Sequence, residues 1–292
     1  MQTNEIKAKI TAEIIESLKT NQSLWSKTWK ISTPQNYESK HVYSGINSLI
    51  LSLKSMNNCY ESPYWLTYKQ LEKQKAYPLK TQKATMVIYY NFVEVKNSEE
   101  EKKRIPFMKY YYVFNLDQTS LKNEINTNTN IDPASKNSDI ENIIKTFDCR
   151  IIHAAQNKAC YLPNEDKILL PARNQFESLH GYYSTAIHET AHATGHESRL
   201  KRNLMNKFGS VDYAKEELIA EIATMFILGY YSIDNKEISN NNIAYINSWL
   251  KLLQNDSNFI FTASKQAGEI LEYITKDNNK TTENKESELI AA

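Results

Sequence analysis

The sequence has little of several residues and patterns that mark particular protein classes. It contains six glycines and three cysteines in 292 residues. The cysteines are scattered and form no CxxC pair, which predicts a reduced, cytoplasmic protein with buried thiols. No apolar run approaches the ~18 residues of a membrane span, and the polar amphipathic pattern of residues 1–18 is not that of a signal peptide. We therefore expect no membrane partner.

The net charge of +1 is divided unevenly along the chain. Residues 1–118 hold 17 basic and 11 acidic residues, whereas the remainder holds 18 and 23. Residues 119–139 are rich in Asn, Ser and Thr, which is typical of a linker. We predict an α+β protein of two domains, with an N-terminal α+β domain over 1–118 and a second domain over 140–275. The polar and charged residues 276–292 are predicted to form a disordered tail.

The strongest chemical signal is the run His188-Glu189-Thr190-Ala191-His192, an HExxH motif. Two histidines four residues apart lie above one another on a helix, so both imidazoles can reach one metal ion. Glu189 lies about 100° around the same helix, where its carboxylate can take a proton from a metal-bound water. The motif indicates a zinc-dependent hydrolase with His188 and His192 as ligands and Glu189 as catalytic residue.

A third protein ligand is needed, since catalytic zinc takes three and leaves one position for water. Ser198 stands where a metzincin has a histidine. Glu217 and Glu221 share one face of a second predicted helix, and two carboxylates on a half-buried face repel each other unless cations meet them. We expect Glu217 to bind the metal, as in gluzincins, and Glu221 to accept a hydrogen bond from a ligand histidine. The reverse assignment and a merely solvated acidic face are the alternatives.

Short strands are predicted before the HExxH helix, at Cys149–Ala154, Ala159–Leu162 and Asp166–Leu170. Strands leading into such a helix match zinc-peptidase architecture, in which an edge strand can hold an extended substrate by main-chain pairing. Spacing leaves three candidates for stabilising the oxyanion of the transition state: Tyr213, His196 and Arg199.

The basic N-terminal half is also the aromatic half, with three of the four tryptophans and eleven of the nineteen tyrosines. Lysines neutralise phosphates and exposed rings stack on unpaired bases for ~1–3 kcal/mol each, so this mixture is typical of single-stranded nucleic-acid binders. Packing of the aromatic rings in a core is the competing interpretation. We interpret Tyr110-Tyr111-Tyr112 as part of an alternating strand rather than a base-stacking box. The predicted elements here are helices over Glu5–Leu18, Ile46–Lys54 and Thr67–Gln74, then strands over Thr85–Val95 and Phe107–Phe114.

Eight stretches form an ordered pattern over about residues 5–275: Val42–Asn47, Trp65–Gln70, Tyr111–Gln118, His188–His196, Ser198–Leu200, Phe208–Ser210, Glu216–Glu221 and Ser248–Lys251. Together they resemble the ArdC-type antirestriction proteins of plasmids and other mobile elements. These proteins join an N-terminal single-stranded-DNA-binding domain to a C-terminal zincin-like metallopeptidase domain. The combined pattern is far more specific than HExxH alone.

The resemblance implies Zn²⁺ as cofactor and single-stranded DNA as partner, with a glutamate of the second helix as third ligand. It also places Gly45 in the signature of the DNA domain, although Gly45 and Asn47 could simply shape a turn and cap a helix. In the turn at residues 80–84 the glycines usual in the family are absent, which weakens the expectation of a backbone grip on phosphate. The candidate DNA-binding residues are Lys27, Trp29, Tyr43, Asn47, Trp65, Tyr68, Lys69, Lys80 and Lys83.

The favoured hypothesis is a zinc peptidase guided by DNA, whose substrate is a protein of unknown identity met on or near the DNA. In one alternative, a non-enzymatic protein coats incoming single-stranded DNA and its zinc site is structural or vestigial. In the other, the protein is a toxin or effector peptidase that uses DNA only as an address.

Overall fold

The structure, a computed structural model, describes residues 3–20, 32–96, 102–123, 133–233 and 241–290. Its mixture of helices and sheets confirms the predicted α+β class. The helices are α1 (Thr3–Thr20), α2 (Gly45–Asn58), α3 (Tyr68–Lys73), α4 (Pro133–Thr146), α5 (Leu179–Ala193), α6 (Val211–Tyr230), α7 (Asn241–Asn255) and α8 (Phe259–Ile290). The strands are β1 (Gln35–Asn36), β2 (Tyr64–Thr67), β3 (Thr85–Lys96), β4 (Lys102–Asn115), β5 (Arg150–Ala154), β6 (Cys160–Leu162) and β7 (Lys167–Pro171).

The N-terminal half is built around a four-stranded sheet of order β1-β2-β4-β3. Strands β3 and β4 form a long antiparallel ribbon whose register runs from Thr85 opposite Val113 to Lys96 opposite Lys102. The ribbon confirms both strands predicted in this half and places Tyr110, Tyr111 and Tyr112 in β4. Residues 97–101, between the two strands, lie outside the described part of the chain.

The outer edge of the ribbon is met by a side chain rather than by another strand. Asn47 of α2 donates its Nδ2 hydrogen to the Ile88 carbonyl oxygen at 2.8 Å, and the Ile88 N–H donates to Asn47 Oδ1 at 2.9 Å. The amide thus pairs with the strand as a neighbouring peptide group would. Asn47 therefore attaches α2 to β3, and the expectation that it caps the helix is wrong.

The C-terminal half begins with a three-stranded sheet of order β5-β7-β6. Strand β5 is parallel to β7, and β6 is antiparallel to β7. These strands confirm the three predicted ahead of the HExxH helix. Both β6 and β7 pack against α5, so the sheet lies directly beside the helix that carries the motif.

One hydrophobic core extends through both halves of the chain. Helix α1 contributes a stripe at helical spacing that includes Ile6, Ile10 and Ile14, and the same cluster contains Ile187 of α5 and Trp249 of α7. Helix α8 packs against α6 and also against α2. Helix packing therefore joins the N-terminal four-stranded sheet to the HExxH helix, in addition to the covalent chain.

Two elements depart from the predicted boundaries. Helix α4 begins at Pro133, inside the segment predicted as a linker, because proline is well suited to the first position of a helix. Helix α8 continues to Ile290, through the segment predicted as a disordered tail. Charged residues at helical spacing, such as Glu272 and Lys276 with 3.5 Å between their charged atoms, favour helix there.

Within the described residues, no helix combines the length and the apolar character that crossing a bilayer requires. The three thiols are free; Cys149 and Cys160 are partly buried, but Cys59 is exposed. The expectation of buried thiols is therefore wrong for Cys59, which ends α2 in a left-handed conformation.

A buried arginine attaches the end of α5 to the turn between β6 and β7. Arg199 donates to the Ala193 carbonyl oxygen and to the Asp148 carbonyl oxygen, both at 2.7 Å, and forms an ion pair with Asp166. Tyr161 donates its hydroxyl to the same carboxylate at 2.7 Å. Burial alone would raise the pKa of Asp166, but the hydrogen bonds from Arg199 and Tyr161 lower it.

We expect Asp166→Asn to lower the free energy of unfolding at pH 7 by about 2 kcal/mol, because it leaves a buried guanidinium without its counter-charge. A lowered folded-state pKa gives stability that is present above the ordinary carboxyl value of ~3.9 and is lost as pH falls through the folded-state value. Urea unfolding at a series of pH values from 7 downward would measure this. The difference in free energy of unfolding between wild type and Asp166→Asn should stay constant and shrink only in strong acid.

The matched control is Asp212→Asn, which removes an exposed carboxylate paired with Lys215 at 3.1 Å. Its effect should stay below about 1 kcal/mol. Equal effects from the two substitutions would show that the Arg199 ion pair has no special structural role.

Candidate metal centre and nucleic-acid interface

Helix α5 presents both histidines of the HExxH motif to one point. The helix begins after Ser178, whose hydroxyl accepts the Gly181 N–H at 3.0 Å. His188 and His192 lie one turn apart on it, and their Nε2 atoms are 3.1 Å from each other. Such an approach of two ring nitrogens is what a shared metal ion requires.

Helix α6 brings a carboxylate to the same point. The helix begins after Ser210, whose hydroxyl accepts the Tyr213 N–H at 3.1 Å. The two carboxylate oxygens of Glu217 lie 3.6 Å from His188 Nε2 and 3.6 Å from His192 Nε2, respectively. One ligand atom from each of these residues lies within 4.8 Å of the others.

The outward ring nitrogens of both histidines are met by further carboxylates of α6. Glu221 lies 3.5 Å from His188 Nδ1, and Glu216 lies 3.1 Å from His192 Nδ1. A carboxylate at Nδ1 keeps the hydrogen on that nitrogen and leaves Nε2 free to bind a metal. Both rings are thus oriented as ligands.

Glu216 is itself held by an arginine from the loop between α5 and α6. Arg202 donates Nη2 to one carboxylate oxygen at 2.9 Å and Nε to the other at 3.1 Å, a two-point contact between buried side chains. The Arg202 guanidinium passes beside Gly195, where a Cβ would lie 3.1 Å from its Nη2 and 2.8 Å from a Leu204 methyl carbon. Glycine after α5 therefore makes room for the arginine.

Charge at the centre fits a divalent cation. Burial alone would raise the pKa of Glu217, but hydrogen bonds from His188 and Tyr213 and the nearby imidazoles lower it to about 2. Burial alone would lower the pKa of His188, but Glu217 and Glu221 raise it well above its ordinary value. The carboxylates thus favour positive charge at this point, and a bound divalent ion would supply it without protonation of the imidazoles.

Glu189 is buried beside β6. Burial and the charge of Glu189 raise the pKa of the Cys160 thiol, and the helix that carries Glu189 packs against β6. Since β6 pairs only with β7 among the described strands, its other edge faces away from the sheet. The predicted catalytic carboxylate and a sheet edge thus lie next to each other.

The three candidates for oxyanion stabilisation are in different positions. Tyr213 donates a hydrogen bond to Glu217 and so lies beside the candidate metal ligands. His196 Nδ1 instead contacts the Ser198 hydroxyl at 2.8 Å. Arg199 is used in the ion pair with Asp166 described above. Tyr213 is therefore the candidate that the geometry favours.

Sequence reasoning did not identify Glu216 or Arg202 as parts of the site. Glu216 directly precedes Glu217 in the sequence. Consecutive side chains on a helix point about 100° apart, so the spacing does not predict that both reach the site. Arg202 lies in a loop, where no periodic spacing exists to indicate its contact.

The candidate DNA-binding residues divide into two groups. Tyr43 and Trp65 are 3% and 0% exposed in a small core cluster, so neither ring has a face available to a base, and their prediction as DNA contacts is not supported. Asn47 is used in binding β3. Four candidates are exposed: Tyr68, Lys69, Lys80 and Lys83. Lys27 and Trp29 lie outside the described residues.

The turn between Lys80 and Lys83 keeps the conformation for which glycine is suited. Thr81 has a φ of 69°, which a β-branched residue rarely adopts. The turn is held by Gln118, which donates to the Lys83 carbonyl oxygen at 3.1 Å. Both lysines therefore project from a constrained turn although its glycines are absent.

Comparison with known proteins gives separate matches for the two halves. Residues 4–114 match the N-terminal domain of anti-restriction factor ArdC, and residues 138–266 match a zincin-like metallopeptidase family. The metal-free crystal structure of the antirestriction protein ArdC from plasmid R388 is 30% identical, with a TM-score of 0.76, and the match covers 94% of this chain and 98% of that one. The chain belongs to the ArdC antirestriction family. This confirms the resemblance inferred from the sequence.

Further relatives match most of this chain but differ in how much of their own length the match covers. The Mn(II)-bound structure of R388 ArdC is also 30% identical, with a TM-score of 0.70, and covers 92% of this chain and 97% of that one. An uncharacterized protein, y4eC of Sinorhizobium fredii, is 27% identical over 92% of this chain and 91% of its own length. Two DNA primases TraC of Escherichia coli are 32% and 31% identical over 91% of this chain, which spans only 19% and 26% of their lengths.

We expect Glu217→Gln to weaken binding of Zn²⁺ more than Glu221→Gln does. Glu217→Gln removes a charged oxygen from the three candidate ligands. Glu221→Gln disturbs only the orientation of His188, which should weaken Zn²⁺ affinity by about 10–100-fold. Titration against a chelator of known affinity would measure both. The two variants are matched because the same substitution is made one turn apart on α6. A greater loss in Glu221→Gln would reverse the assignment of the two carboxylates.

Proposed function

We propose that this protein binds single-stranded DNA through its N-terminal half and hydrolyses peptide bonds at a zinc site in its C-terminal half. Its biological role would be antirestriction, the protection of a mobile element's incoming DNA. The observation that carries the catalytic part is the convergence of His188, His192 and Glu217, with Glu189 on the same helix. Membership of the ArdC family supports the DNA-binding part.

In this proposal His188, His192 and Glu217 hold the metal, and Glu221 and Glu216 orient the two imidazoles. A divalent ion held there would lower the pKa of a bound water and polarise a peptide carbonyl. Imidazole and carboxylate ligands suit zinc, and the Mn(II)-bound structure of R388 ArdC makes manganese the natural comparison.

The carboxylate of Glu189 takes the proton of the attacking water and returns it to the amine leaving group. Its side chain is buried, with 8% of its surface exposed. The Tyr213 hydroxyl, whose single hydrogen is donated to Glu217 in this structure, would turn from that carboxylate to donate to negative charge on the substrate oxygen. These roles need no side chain from the N-terminal half.

The substrate is proposed to be an extended segment of a protein that meets the DNA. Among the strands that the structure describes, β6 pairs only with β7, so its outer edge is open to a further strand, and β6 packs against the helix that carries Glu189. Main-chain pairing along this edge would place a peptide bond at the cluster with little dependence on sequence.

A purely structural role for the ion has less support. R388 ArdC has been crystallised in a metal-free form whose fold this chain shares, whereas structural zinc sites usually contribute directly to folding.

We expect Glu189→Gln to abolish peptide hydrolysis while leaving metal binding intact, because it removes the base but none of the ligands. The loss should be at least ~100-fold. Cleavage of an unfolded protein such as casein, with Zn²⁺, Mn²⁺ or Co²⁺ and with or without single-stranded DNA, would be followed by mass spectrometry.

Glu197→Gln is the matched control, since Glu197 is exposed and lies just beyond α5. Hydrolysis by Glu189→Gln at the wild-type rate would contradict the mechanism. If the wild-type protein cleaves nothing and Glu189→Gln still protects incoming DNA in a conjugation assay, the non-enzymatic coating function is correct instead.

We expect tight, salt-sensitive binding to single-stranded oligonucleotides and weaker binding to duplexes, measured by fluorescence anisotropy over a salt series. Each lysine–phosphate contact adds about −0.7 to the slope of log K against log salt concentration for single strands. The double variant Lys80→Ala/Lys83→Ala should therefore reduce the steepness of that slope by about 1.4 if both lysines contact phosphates.

The control is Lys265→Ala/Lys276→Ala, which removes two exposed lysines of α8 and should not change the slope. Absence of binding by the wild-type protein at low salt would remove the DNA-binding part of the proposed function and leave the metal site unaffected.

A further inference from the structure

The β3–β4 ribbon displays an unusual amount of aromatic surface. Five of its tyrosines, Tyr89, Tyr90, Tyr110, Tyr111 and Tyr112, are each between 36% and 53% exposed. Clustered apolar surface in contact with water often marks a binding site. The exposure also distinguishes these rings from Tyr43 and Trp65, which are buried in the adjacent core.

The strand register divides the five rings between two faces. Paired residues lie on the same face, and the pairs Met86–Tyr112, Ile88–Tyr110 and Tyr90–Met108 alternate with Val87–Tyr111 and Tyr89–Lys109. Tyr90, Tyr110 and Tyr112 therefore share one face, here called the tyrosine face, together with Met86 and Ile88, whose side chains are buried in the main core. Tyr111, on the opposite face, is hydrogen-bonded to Tyr43, which indicates a structural role for it.

The spacing on the tyrosine face suits unpaired bases. Residues two apart on a strand are about 7 Å apart, which is twice the ~3.4 Å rise of stacked bases. The rings of Tyr110 and Tyr112 are 5.8 Å apart and nearly perpendicular, at 83°. The edge of one ring therefore points at the face of the other, and the exposed surface that a flat partner can contact is 38% of Tyr110 and 43% of Tyr112.

The charge around the ribbon fits a polyanion. The constrained turn with the exposed Lys80 and Lys83 leads directly into β3, close to the end of the ribbon where Met86 pairs with Tyr112. Lys109, also exposed, lies on the opposite face of the ribbon, where it pairs with Tyr89. Aromatic rings flanked by lysines are the combination that binds single strands, because the cations neutralise phosphates while rings stack on bases of any sequence.

We propose that Tyr90, Tyr110 and Tyr112 form a base-stacking platform that binds unpaired bases of single-stranded DNA without sequence preference. The proposal rests on the proposed function and assigns its DNA partner to one face of one ribbon. The structure confirms that Tyr110-Tyr111-Tyr112 is part of a strand; the proposal adds a base-stacking role for Tyr110 and Tyr112, which the sequence did not favour. Duplex DNA, whose bases are already stacked and paired, is not the ligand of this face.

The test compares an oligo(dT) strand with an abasic strand of the same length, which keeps the phosphates but has no bases to stack. Both are labelled, and binding is measured by fluorescence anisotropy at fixed salt. We expect the wild-type protein to bind oligo(dT) at least ~10-fold more tightly than the abasic strand. We expect Tyr110→Thr/Tyr112→Thr to lose ~10-fold or more on oligo(dT) and nothing on the abasic strand.

Two controls separate loss of the rings from loss of structure. Tyr110→Phe/Tyr112→Phe keeps the rings and should bind like wild type, and threonine is itself a good strand former. Tyr89→Thr removes a ring of equal exposure from the opposite face and should also bind like wild type. Thermal unfolding of each variant would establish that the fold is retained.

The outcomes distinguish this proposal from the proposed function. Equal wild-type affinity for the two strands, unchanged binding by the double threonine variant, or an equal loss in Tyr89→Thr would each overturn the tyrosine platform while DNA binding stands. Absence of any wild-type binding to oligo(dT) would overturn both. The comparison of the two strands needs no variant, so it stays decisive even where a substitution disturbs folding.

Discussion

The metal centre depends on the pairing of buried carboxylates on α6 with imidazoles on α5. Helix α6 is almost entirely buried, yet Glu216 and Glu217 lie within it at 8% and 7% exposure. Unpaired, these groups would be costly to remove from water. Arg202 neutralises the first, and the two histidines meet the second, so the rotation of each helix about its axis is set by this charge pairing.

Two separate family models match this chain, but its main hydrophobic core is continuous. The matches end at residue 114 and begin again at residue 138, whereas the main core includes α1, α5, α6, α7 and α8. Asn47 ties the ribbon to α2, α2 packs on α8, and α8 packs on the helix that carries Glu217. The β3–β4 ribbon and the candidate metal ligands are thus attached to the same set of helices.

Local periodicity explains which parts of the structure could be predicted from the sequence. The HExxH helix, the strands before it and the ribbon have spacings that one element determines by itself, and their existence is confirmed. Contacts made across the chain have no such spacing. Arg202 reaches Glu216 from a loop, and Tyr43 and Trp65 resemble DNA-stacking residues until their burial is known. The fate of an aromatic ring depends on tertiary packing, which composition does not reveal.

The hydrogen bonds between Asn47 and Ile88 have a consequence for self-association. Strand β3 is the outermost strand of its sheet, and an outermost strand offers main-chain groups to which another copy of the chain could add. The Asn47 side-chain amide is hydrogen-bonded to both the N–H and the C=O of Ile88, and it brings α2 against that edge. A single polar side chain thus discourages the ribbon from polymerising edge to edge, even though the strand is long and rich in aromatic residues.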